Sequence, residues 1–290
     1  MEPPIPSSAF SLFRPDRRET PVIFSSPHSG ADYPAALLLR SPLDEKAIRS
    51  SEDAFVDELF ARAPLWGAPL IAARVPRAYI DLNRAADELD PSLIEGVIRA
   101  PHNPRVSSGL GVIPRVVANG RPIYSGKIPL RDAQMRIDTL WHPYHQALRT
   151  LIDESLSQFG EAVLIDCHSM PHEAIEAHAR PGQPRPEVVL GDRFGAAASR
   201  EVMELVESAF LEAGLRVARN APFAGAYIAQ AYGRPSRGQH VVQIEIDRAL
   251  YMDEARIKRR ADFAEFEALV AGVIARIAGF GRQSLPLAAE

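Results

Sequence analysis

The feature that most constrains the fold of this chain is the alternation of short apolar runs with segments of helical spacing. Apolar runs predict buried strands at residues 21–26, 161–170 and 240–249. Helical spacing covers residues 131–159 and 199–213, and a glycine follows each of these segments directly. Strands that alternate with helices predict an α/β fold, in which a largely parallel or mixed central sheet is flanked by helices on both faces.

Composition narrows the class of protein. A length of 290 residues suits one large domain, residues 1–290. The formal net charge of −4 predicts no basic surface for nucleic acid. No apolar run reaches the ~18 residues that a membrane-spanning helix needs, so we expect no membrane partner. Cys167 is the only cysteine, and the first residues carry prolines and charges in place of a secretory signal, which together predict a cytoplasmic protein.

Three further segments indicate how the loops are arranged. Residues 69–84 predict two strands around Pro76. Residues 44–63 predict a helix with a polar stretch or a break near its middle. Residues 85–130 are rich in Pro, Gly, Asn and Arg and predict long loops, which in a compact domain usually cover a site. Shorter apolar runs predict two more strands, at residues 187–192 and 215–220.

His28 and His168 occupy matching positions in this predicted fold. Each follows or ends an apolar run, in the sequences SSPHSG and IDCHSM. Open α/β sheets bind ligands beyond the carboxyl ends of their strands, so both imidazoles are expected to face one cleft. A single histidine after a strand is more often a hydrogen-bonded loop residue. The matching pair favours a site for a divalent ion such as zinc, with a third protein ligand and an open position for water.

The third ligand of such a site would be a carboxylate. Four acidic residues lie between the two histidine motifs at suitable places, and Asp53 is best placed to reach across from a helix start or break. Asp166 shares a strand face with His168 and could serve as a ligand or orient the imidazole. The four candidates are Glu52, Asp53, Asp57 and Asp81.

Gln243 and Glu245 alternate with apolar residues on the run 240–249, so they share one face of that strand and can point into the same cleft. A carboxylate on an otherwise apolar strand is costly to bury unless it binds an ion, forms a pair or transfers protons. Glu245 is therefore a candidate proton-transfer residue, and Gln243 a candidate substrate contact. The alternative for Glu245 is a salt bridge with Arg248 or another arginine.

Asn83 and Arg84 end the apolar segment YIDLNR. The guanidinium of an arginine at a strand end suits a carboxylate-bearing substrate, because it can bind both oxygens at once. The alternative for Arg84 is an ion pair with Asp81 or Asp87. Two more arginines add positive charge to loops of an otherwise acidic protein and favour a small anionic substrate: Arg77 and Arg234.

Taken together, these motifs resemble the N-formylglutamate amidohydrolases, zinc-dependent enzymes of histidine degradation whose fold is similar to that of the zinc carboxypeptidases and aspartoacylases. The resemblance extends over nearly the whole chain, and several motifs in the expected order are far more specific than any one of them. The motifs are PHSG at 27–30, EDAFVDELF at 52–60, RAYIDLNR at 77–84, WHPYHQAL at 141–148, DCHSM at 166–170, YGRP at 232–235 and VVQIEIDRALYMDE at 241–254.

The resemblance implies a carboxypeptidase-like fold of three layers and hydrolysis of N-formyl-L-glutamate to formate and L-glutamate. It also implies a Zn²⁺ ion, or another divalent ion, held by His28, Asp53 and His168, with Glu245 as the general base.

Substrate binding by Asn83 and Arg84 follows from the same resemblance. One position departs from the carboxypeptidase pattern, which has Glu three residues after the first histidine, where this chain has Ala31. The acidic ligand therefore comes from elsewhere: Asp53 is the family-like choice and Glu52 its competitor.

Two other functions remain alternatives. The first is hydrolysis of another N-acyl amino acid or small amide on the same scaffold. The second is a non-catalytic protein that binds small anions and has lost its metal, which would require a broken ligand set. His28, His168 and Glu245 are all present, so the sequence favours the enzyme.

Three remaining residues were weighed for a role in the site: Cys167, His145 and Tyr124. Cys167 adjoins His168, but neighbours on a strand point to opposite faces, so its thiol is expected to face the core. His145 and Tyr124 also match the family pattern, and a place in the core or behind the site is the alternative to a direct role.

Overall fold

A seven-stranded mixed sheet forms the centre of the protein, in a computed structural model that describes residues 8–98, 103–176 and 185–281. In chain order its strands are β1 (Phe10–Phe13), β2 (Val22–Ser26), β3 (Leu70–Ala73), β4 (Ala162–Met170), β5 (Val188–Gly191), β6 (Val217–Arg219) and β7 (Gln239–Asp247). Two short ladders lie outside it, pairing Ile94–Glu95 with Ile128–Pro129 and Met252–Asp253 with Lys258–Arg259.

The spatial order of the strands is β1-β3-β2-β4-β7-β5-β6. The four central strands of this order are mutually parallel: β3, β2, β4 and β7. Strand β1 is antiparallel to β3, and β5 is antiparallel to β7. The carboxyl ends of β2, β4 and β7 therefore meet at one edge of the sheet. Loops that leave this edge can bring polar side chains together without burying them in the apolar core around the sheet.

Ten α-helices surround the sheet within the described residues. They are α1 (Ala35–Arg40), α2 (Glu45–Ile48), α3 (Val56–Leu59), α4 (Pro104–Ser107), α5 (Leu130–Arg136), α6 (His142–Phe159), α7 (His172–Glu176), α8 (Arg200–Glu212), α9 (Tyr227–Tyr232) and α10 (Phe263–Ala278). A single π-helical turn, Ile137–Trp141, joins α5 to α6. The predicted helix over 131–159 is thus confirmed as one continuous helical stretch.

Apolar side chains cover the sheet on both faces and make the three layers. On one face α6 contributes Tyr144, Leu148 and Leu151, which pack in one cluster with Ile23 and Leu164. On the other face α8 and α10 pack against the opposite set of strand residues, including Val22, Phe24, Ile165 and Ile244. Burial of these surfaces is the dominant favourable contribution to folding. The predicted α/β class, a mixed sheet between helical layers, is confirmed.

One local prediction needs correction, and one that left two alternatives open is decided. Residues 69–84 form only one strand, β3, because Pro76 begins a turn: its carbonyl accepts hydrogen bonds from the N–H groups of Tyr79 and Ile80. This turn cannot continue the sheet. For residues 44–63, the break near the polar middle is the alternative observed, and it separates α2 from α3.

Within residues 8–98, 103–176 and 185–281, no helix is both long enough and apolar enough to span a bilayer.

Candidate functional site

A cavity of about 370 Å³ opens at the edge where β2, β4 and β7 end. It brings together eight of the nine site residues that the sequence predicts: His28, Asp53, Arg77, Asn83, Arg84, His168, Gln243 and Glu245. The ninth, Arg234, does not line this cavity. Its Nη1 donates to the carbonyl oxygens of Gln230 and Gly233, so its expected place at the substrate site is corrected.

His28 reaches the cavity from the loop that follows β2. Within that loop the hydroxyl of Ser26 donates to the hydroxyl of Ser29 over 2.8 Å. Gly30 then passes so close to the neighbouring segment that a Cβ atom there would lie 2.1 Å from the carbonyl oxygen of Val75. Only glycine fits this approach, and the sharp turn that it permits holds the direction of the His28 side chain.

His168 and Glu245 lie side by side on adjacent parallel strands. In the register of β4 and β7, His168 is opposite Glu245 and Asp166 is opposite Gln243. Residues two apart on a strand share a face, so all four side chains point to the same side of the sheet. The alternation read from the sequence therefore places the general-base candidate beside one of the two histidines.

Asp53 comes from the irregular segment between α2 and α3. Its backbone N–H donates to the carbonyl oxygen of His28 over 3.0 Å, which ties this segment to the loop after β2. Its Oδ1 accepts a hydrogen bond of 2.9 Å from Nη2 of Arg248. Its Oδ2 lies 2.9 Å from Nδ1 of His168 and 3.5 Å from Nδ1 of His28. Asp53 thus joins the two histidines.

The competing carboxylate, Glu52, faces away. It accepts a hydrogen bond of 2.8 Å from Nη2 of Arg49 and one of 2.9 Å from the hydroxyl of Tyr33, and it does not line the cavity. Of the two acidic neighbours, only Asp53 points toward the histidines.

His28, Asp53 and His168 form a candidate metal-binding triad, and all three side chains are buried. One potential ligand atom from each lies within 4.8 Å of the other two. The Nδ1 atom of His28 is buried without a hydrogen-bond partner among the described residues, which is unfavourable for a polar atom unless something else binds it. Two imidazole nitrogens and one carboxylate oxygen are a donor set that fits a divalent cation, with zinc among the best matches.

The other ring nitrogen of each histidine contacts a carboxylate. Nε2 of His28 lies 2.7 Å from Oδ1 of Asp81, and Nε2 of His168 lies 3.1 Å from Oδ2 of Asp166. A ligating histidine commonly donates its second N–H to a carboxylate in this way, which fixes the tautomer and leaves Nδ1 free to bind an ion. Asp81 and Asp166 therefore orient the triad.

Charges in the triad act on one another. Burial raises the pKa of Asp53, but the hydrogen bond with His168 and the charges of the His168 and His28 imidazoles outweigh it and hold that pKa well below the usual range. Burial lowers the pKa of His168, but the carboxylates of Asp166 and Asp53 outweigh it and raise that pKa well above the usual value.

Glu245 differs from the other acids of the site. Burial raises its pKa to about 7, and the negative charge of Asp53 adds to the effect against the opposing charge of His168. Its Oε1 accepts a hydrogen bond of 2.8 Å from Nε2 of Gln243. A carboxyl group with a pKa near neutral pH is suited to exchange protons during a reaction. Within the described residues, Glu245 forms no salt bridge with Arg248, which pairs with Asp53, or with another arginine, so the alternative considered for this residue is not observed.

The two amide side chains of the site are occupied by protein partners. Nδ2 of Asn83 donates to Oδ2 of Asp166 over 3.0 Å, and its Oδ1 accepts from the N–H of Ile228 over 2.7 Å. Oε1 of Gln243 accepts from the N–H of Ala226 over 2.9 Å. Asn83 and Gln243 therefore hold other site residues in place.

Arg84 and Arg77 keep donors that face the cavity. Arg84 donates from Nε to the carbonyl of Leu110 over 3.0 Å and from Nη1 to its neighbouring carbonyl at Asn83 over 2.7 Å. Nη2 of Arg77 donates to Oδ2 of Asp81 over 2.9 Å. Arg84 forms no ion pair with Asp81 or Asp87 in the described structure, so the structural alternative for this arginine is not observed.

His145 and Tyr124 lie behind the cavity. Nε2 of His145 donates to the carbonyl of Leu82 over 2.9 Å, Nδ1 lies 2.8 Å from the hydroxyl of Tyr232, and the ring packs on Trp141. Burial lowers the pKa of His145 to about 3, so the ring is neutral. The hydroxyl of Tyr124 accepts from Nη1 of Arg136 over 2.7 Å. The supporting role considered for both residues is the one observed.

Two arginines of the cavity were not assigned to the site from the sequence. Arg248 was considered only as a partner of Glu245, yet it directly follows the alternating strand that carries Gln243 and Glu245, which was a usable signal. Arg105 lies in the aperiodic loop region, where no pattern indicated which side chains face inward.

Comparison with known proteins gives the family. The sequence profile described as N-formylglutamate amidohydrolase matches residues 20–252. This chain belongs to that family. An N-formylglutamate deformylase of Pseudomonas aeruginosa is 29% identical over 273 residues, covering 92% of this chain and 96% of the relative. Another N-formylglutamate deformylase, of Pseudomonas putida, is 32% identical over 251 residues, covering 84% of this chain and 87% of that relative.

Solved structures agree with the family assignment. A crystal structure of N-formylglutamate amidohydrolase from Ralstonia eutropha superposes with a TM-score of 0.88 at 34% identity, covering 98% of this chain and 100% of that one. A gene product of Agrobacterium tumefaciens shares the fold, with a TM-score of 0.65 at 16% identity over 95% of this chain and 94% of that one. This member of the N-formylglutamate amidohydrolase family therefore has the fold expected from its sequence.

Proposed function

We propose that the protein hydrolyses the formyl amide of N-formyl-L-glutamate to give formate and L-glutamate. The observation that carries the proposal is one cavity in which the His28–Asp53–His168 triad, the carboxyl group of Glu245 and several arginines converge. Relatives named N-formylglutamate deformylase that align with most of the chain support the choice of substrate.

We assign a divalent cation, with zinc as the preferred ion, to Nδ1 of His28, Nδ1 of His168 and a carboxylate oxygen of Asp53. When bound, such a cation supplies Lewis acidity toward water and toward an amide carbonyl. Asp81 and Asp166 accept the Nε2 protons of the two histidines and keep both Nδ1 lone pairs available. Arg248 holds Asp53 in place from the other side.

Glu245 acts as the general base and then as the general acid. Its carboxylate removes a proton from the attacking water, and the resulting carboxylic acid returns a proton to the departing amine of glutamate. Gln243 donates to Oε1 of Glu245, and we assign the proton transfers to Oε2. The pKa of about 7 allows both transfers, because neither protonation state is strongly favoured at neutral pH.

Arg84 binds a carboxylate of the substrate. Two of its nitrogens are anchored on main-chain oxygens, which fixes the plane of the guanidinium and leaves Nη2 without a partner in the described structure. Arg77 adds positive charge beside it. Asn83 holds Asp166 and the first turn of α9, so its contribution to substrate binding is indirect. The same assignment implies a cytoplasmic enzyme of histidine degradation, in keeping with the single cysteine and the family.

The test is formate release from N-formyl-L-glutamate by protein stripped with a chelator and by the same protein reloaded with zinc. We expect activity only after reloading, with one metal ion per chain. N-acetyl-L-glutamate serves as the comparison substrate, and His168→Ala as a control that should lose both the ion and the activity. Full activity in stripped protein would overturn the metal assignment. Hydrolysis of the acetyl compound in preference to the formyl compound would overturn the substrate assignment.

A further inference from the structure

Arg105 projects from α4, a single helical turn in the loop region that walls the cavity. Oδ1 of Asn103 caps this turn by accepting hydrogen bonds from the N–H groups of Arg105, over 2.9 Å, and Val106, over 3.3 Å. Such a cap fixes the start of the turn and therefore the point at which the Arg105 side chain emerges.

The backbone of this turn is connected directly to Arg84. The N–H of Leu110 donates to the carbonyl of Arg105 over 2.8 Å, and the carbonyl of Leu110 accepts from Nε of Arg84 over 3.0 Å. The two arginines are therefore positioned by the same piece of chain, and both line the cavity.

The four arginines of the cavity differ in how many of their donors are already used. Arg248 contacts Ser169, Ser50 and Asp53 through its three nitrogens. Arg77 is paired with an aspartate, and Arg84 is anchored on two carbonyls. The Arg105 guanidinium has no hydrogen bond, ion pair or ring contact within the described part of the chain, and it is exposed.

Arginines outnumber acids in the lining of the cavity. Among the described residues, the acids that line it are Asp53 and Glu245, against four arginines, and Asp53 already bonds to Arg248 and lies beside both histidines. Burial lowers the pKa of Arg84, the negative charge of Asp81 raises it, and repulsion from the positive charges of Arg77 and Arg105 lowers it. An anionic ligand between them would relieve this repulsion.

We propose that Arg105 binds the side-chain carboxylate of the substrate and makes the enzyme selective for acidic N-acyl amino acids. This inference rests on the proposed function. Glutamate carries two carboxylates, separated by its Cα, Cβ and Cγ atoms, and Arg84 accounts for one of them. Arg105 has a complete guanidinium free at the mouth of the same cavity to bind the other.

The decisive comparison pairs Arg105→Gln with two substrates of equal size, N-formyl-L-glutamate and N-formyl-L-glutamine. The variant loses a charge-assisted hydrogen bond only when the substrate is the acid. We therefore expect kcat/KM for N-formyl-L-glutamate to fall roughly 10–100-fold, mostly through a higher KM. For N-formyl-L-glutamine the variant should match the wild type. An equal loss on both substrates would indicate a structural role and overturn the proposal, as would no loss on the acid.

Arg121→Gln is the matched control, because Arg121 is an exposed arginine of the same loop region that does not line the cavity. It removes the same charge and should leave the preference for the acid intact. If it lowered the preference as much as Arg105→Gln, long-range attraction would explain the result and the proposal would be wrong.

A binding measurement separates this proposal from the proposed function. Calorimetric titration of zinc-loaded protein with L-glutamate and with L-glutamine requires no turnover. The wild type should bind glutamate more tightly, and Arg105→Gln should bind the two amino acids equally. If the wild type released no formate, the proposed function would fail, and this titration would still decide the role of Arg105: an unchanged preference in the variant would overturn it.

Discussion

The Nε2 atom of His28 lies 2.7 Å from Oδ1 of Asp81. On the other side of the triad, Asp166 stands in the same relation to His168. Each candidate ligand histidine therefore has its own carboxylate, supplied by a different part of the chain. This paired arrangement leads to the first prediction.

Asp81→Asn should weaken zinc affinity by roughly 10–100-fold, because a neutral amide orients the imidazole less firmly and lowers its basicity as a ligand. Asp166→Asn should have a similar effect. Competition with a chromogenic chelator measures the affinity. Asp138→Asn, at an exposed position on the π-helical turn, is the control and should leave affinity unchanged. Wild-type affinity in both Asp81 and Asp166 variants would show that these carboxylates do not support the site.

Glu245→Gln should lower kcat by roughly 10²–10⁴-fold, since glutamine has the same shape but cannot accept the proton of water. Metal content should remain that of the wild type, because Glu245 is not one of the three ligand candidates. Steady-state kinetics together with metal analysis of the same sample provides the measurement. A kcat close to the wild-type value in metal-loaded protein would remove Glu245 from the mechanism.

Arg84→Ala should raise KM for N-formyl-L-glutamate by at least about tenfold and change kcat much less, because a carboxylate contact acts mainly on binding. Arg234→Ala is the matched control. Its guanidinium is bonded to main-chain carbonyls outside the cavity, so KM should stay unchanged. Initial rates over a range of substrate concentrations separate the two parameters, and a fall in kcat with no change in KM would contradict this role for Arg84.

His145 makes stability depend on pH. Its pKa is about 3 in the folded protein, below the usual 6.5, so between these values the unfolded chain binds a proton that the folded chain does not. The contribution of His145 is thus complete above pH 6.5 and is lost as the pH falls toward 3. Between pH 7.5 and pH 5 this loss amounts to about 2 kcal/mol of unfolding free energy.

Urea denaturation of metal-free protein at these two pH values tests the effect. In His145→Gln, the difference in unfolding free energy between the two pH values should be smaller than in the wild type by about 2 kcal/mol. The absolute stability of the variant at either pH does not affect this comparison. His142→Gln serves as the control, because the imidazole of His142 is exposed on the same helix. An unchanged pH dependence in His145→Gln would show that this histidine does not titrate as described.

Among the site residues, those at or near strand ends were the easiest to predict from the sequence. The motifs around His28, His168 and Glu245 each combine an apolar run with a polar residue at or near its carboxyl end, and a parallel sheet brings such ends together. These three residues line one cavity, and their placement could be predicted because it depended on local periodicity and on one general property of the fold. Asp53 was found through the polar break in a helical pattern and through family resemblance.

Loop residues were harder to place. Asn83 and Arg84 reach the cavity although the strand expected before them is a turn, so the correct position came from the motif and not from the predicted element. Arg234 was misplaced because its guanidinium bonds to the nearby carbonyls of Gln230 and Gly233, away from the cavity. Arg105 was missed because it lies in an aperiodic loop region, where no pattern indicated which side chains face inward. The assignment of residues 1–290 to one domain stays a prediction.

Cys167 lies wholly buried on the face of the sheet opposite the cavity, as the strand alternation predicts, and burial raises the pKa of its thiol. The thiol of Cys167 can therefore serve as a probe of unfolding. An alkylating reagent can reach this thiol only when the core separates, so the rate of modification follows unfolding and not events in the cavity. The difference in labelling rate between metal-free and zinc-loaded protein would then measure how much a bound ion stabilises the whole fold.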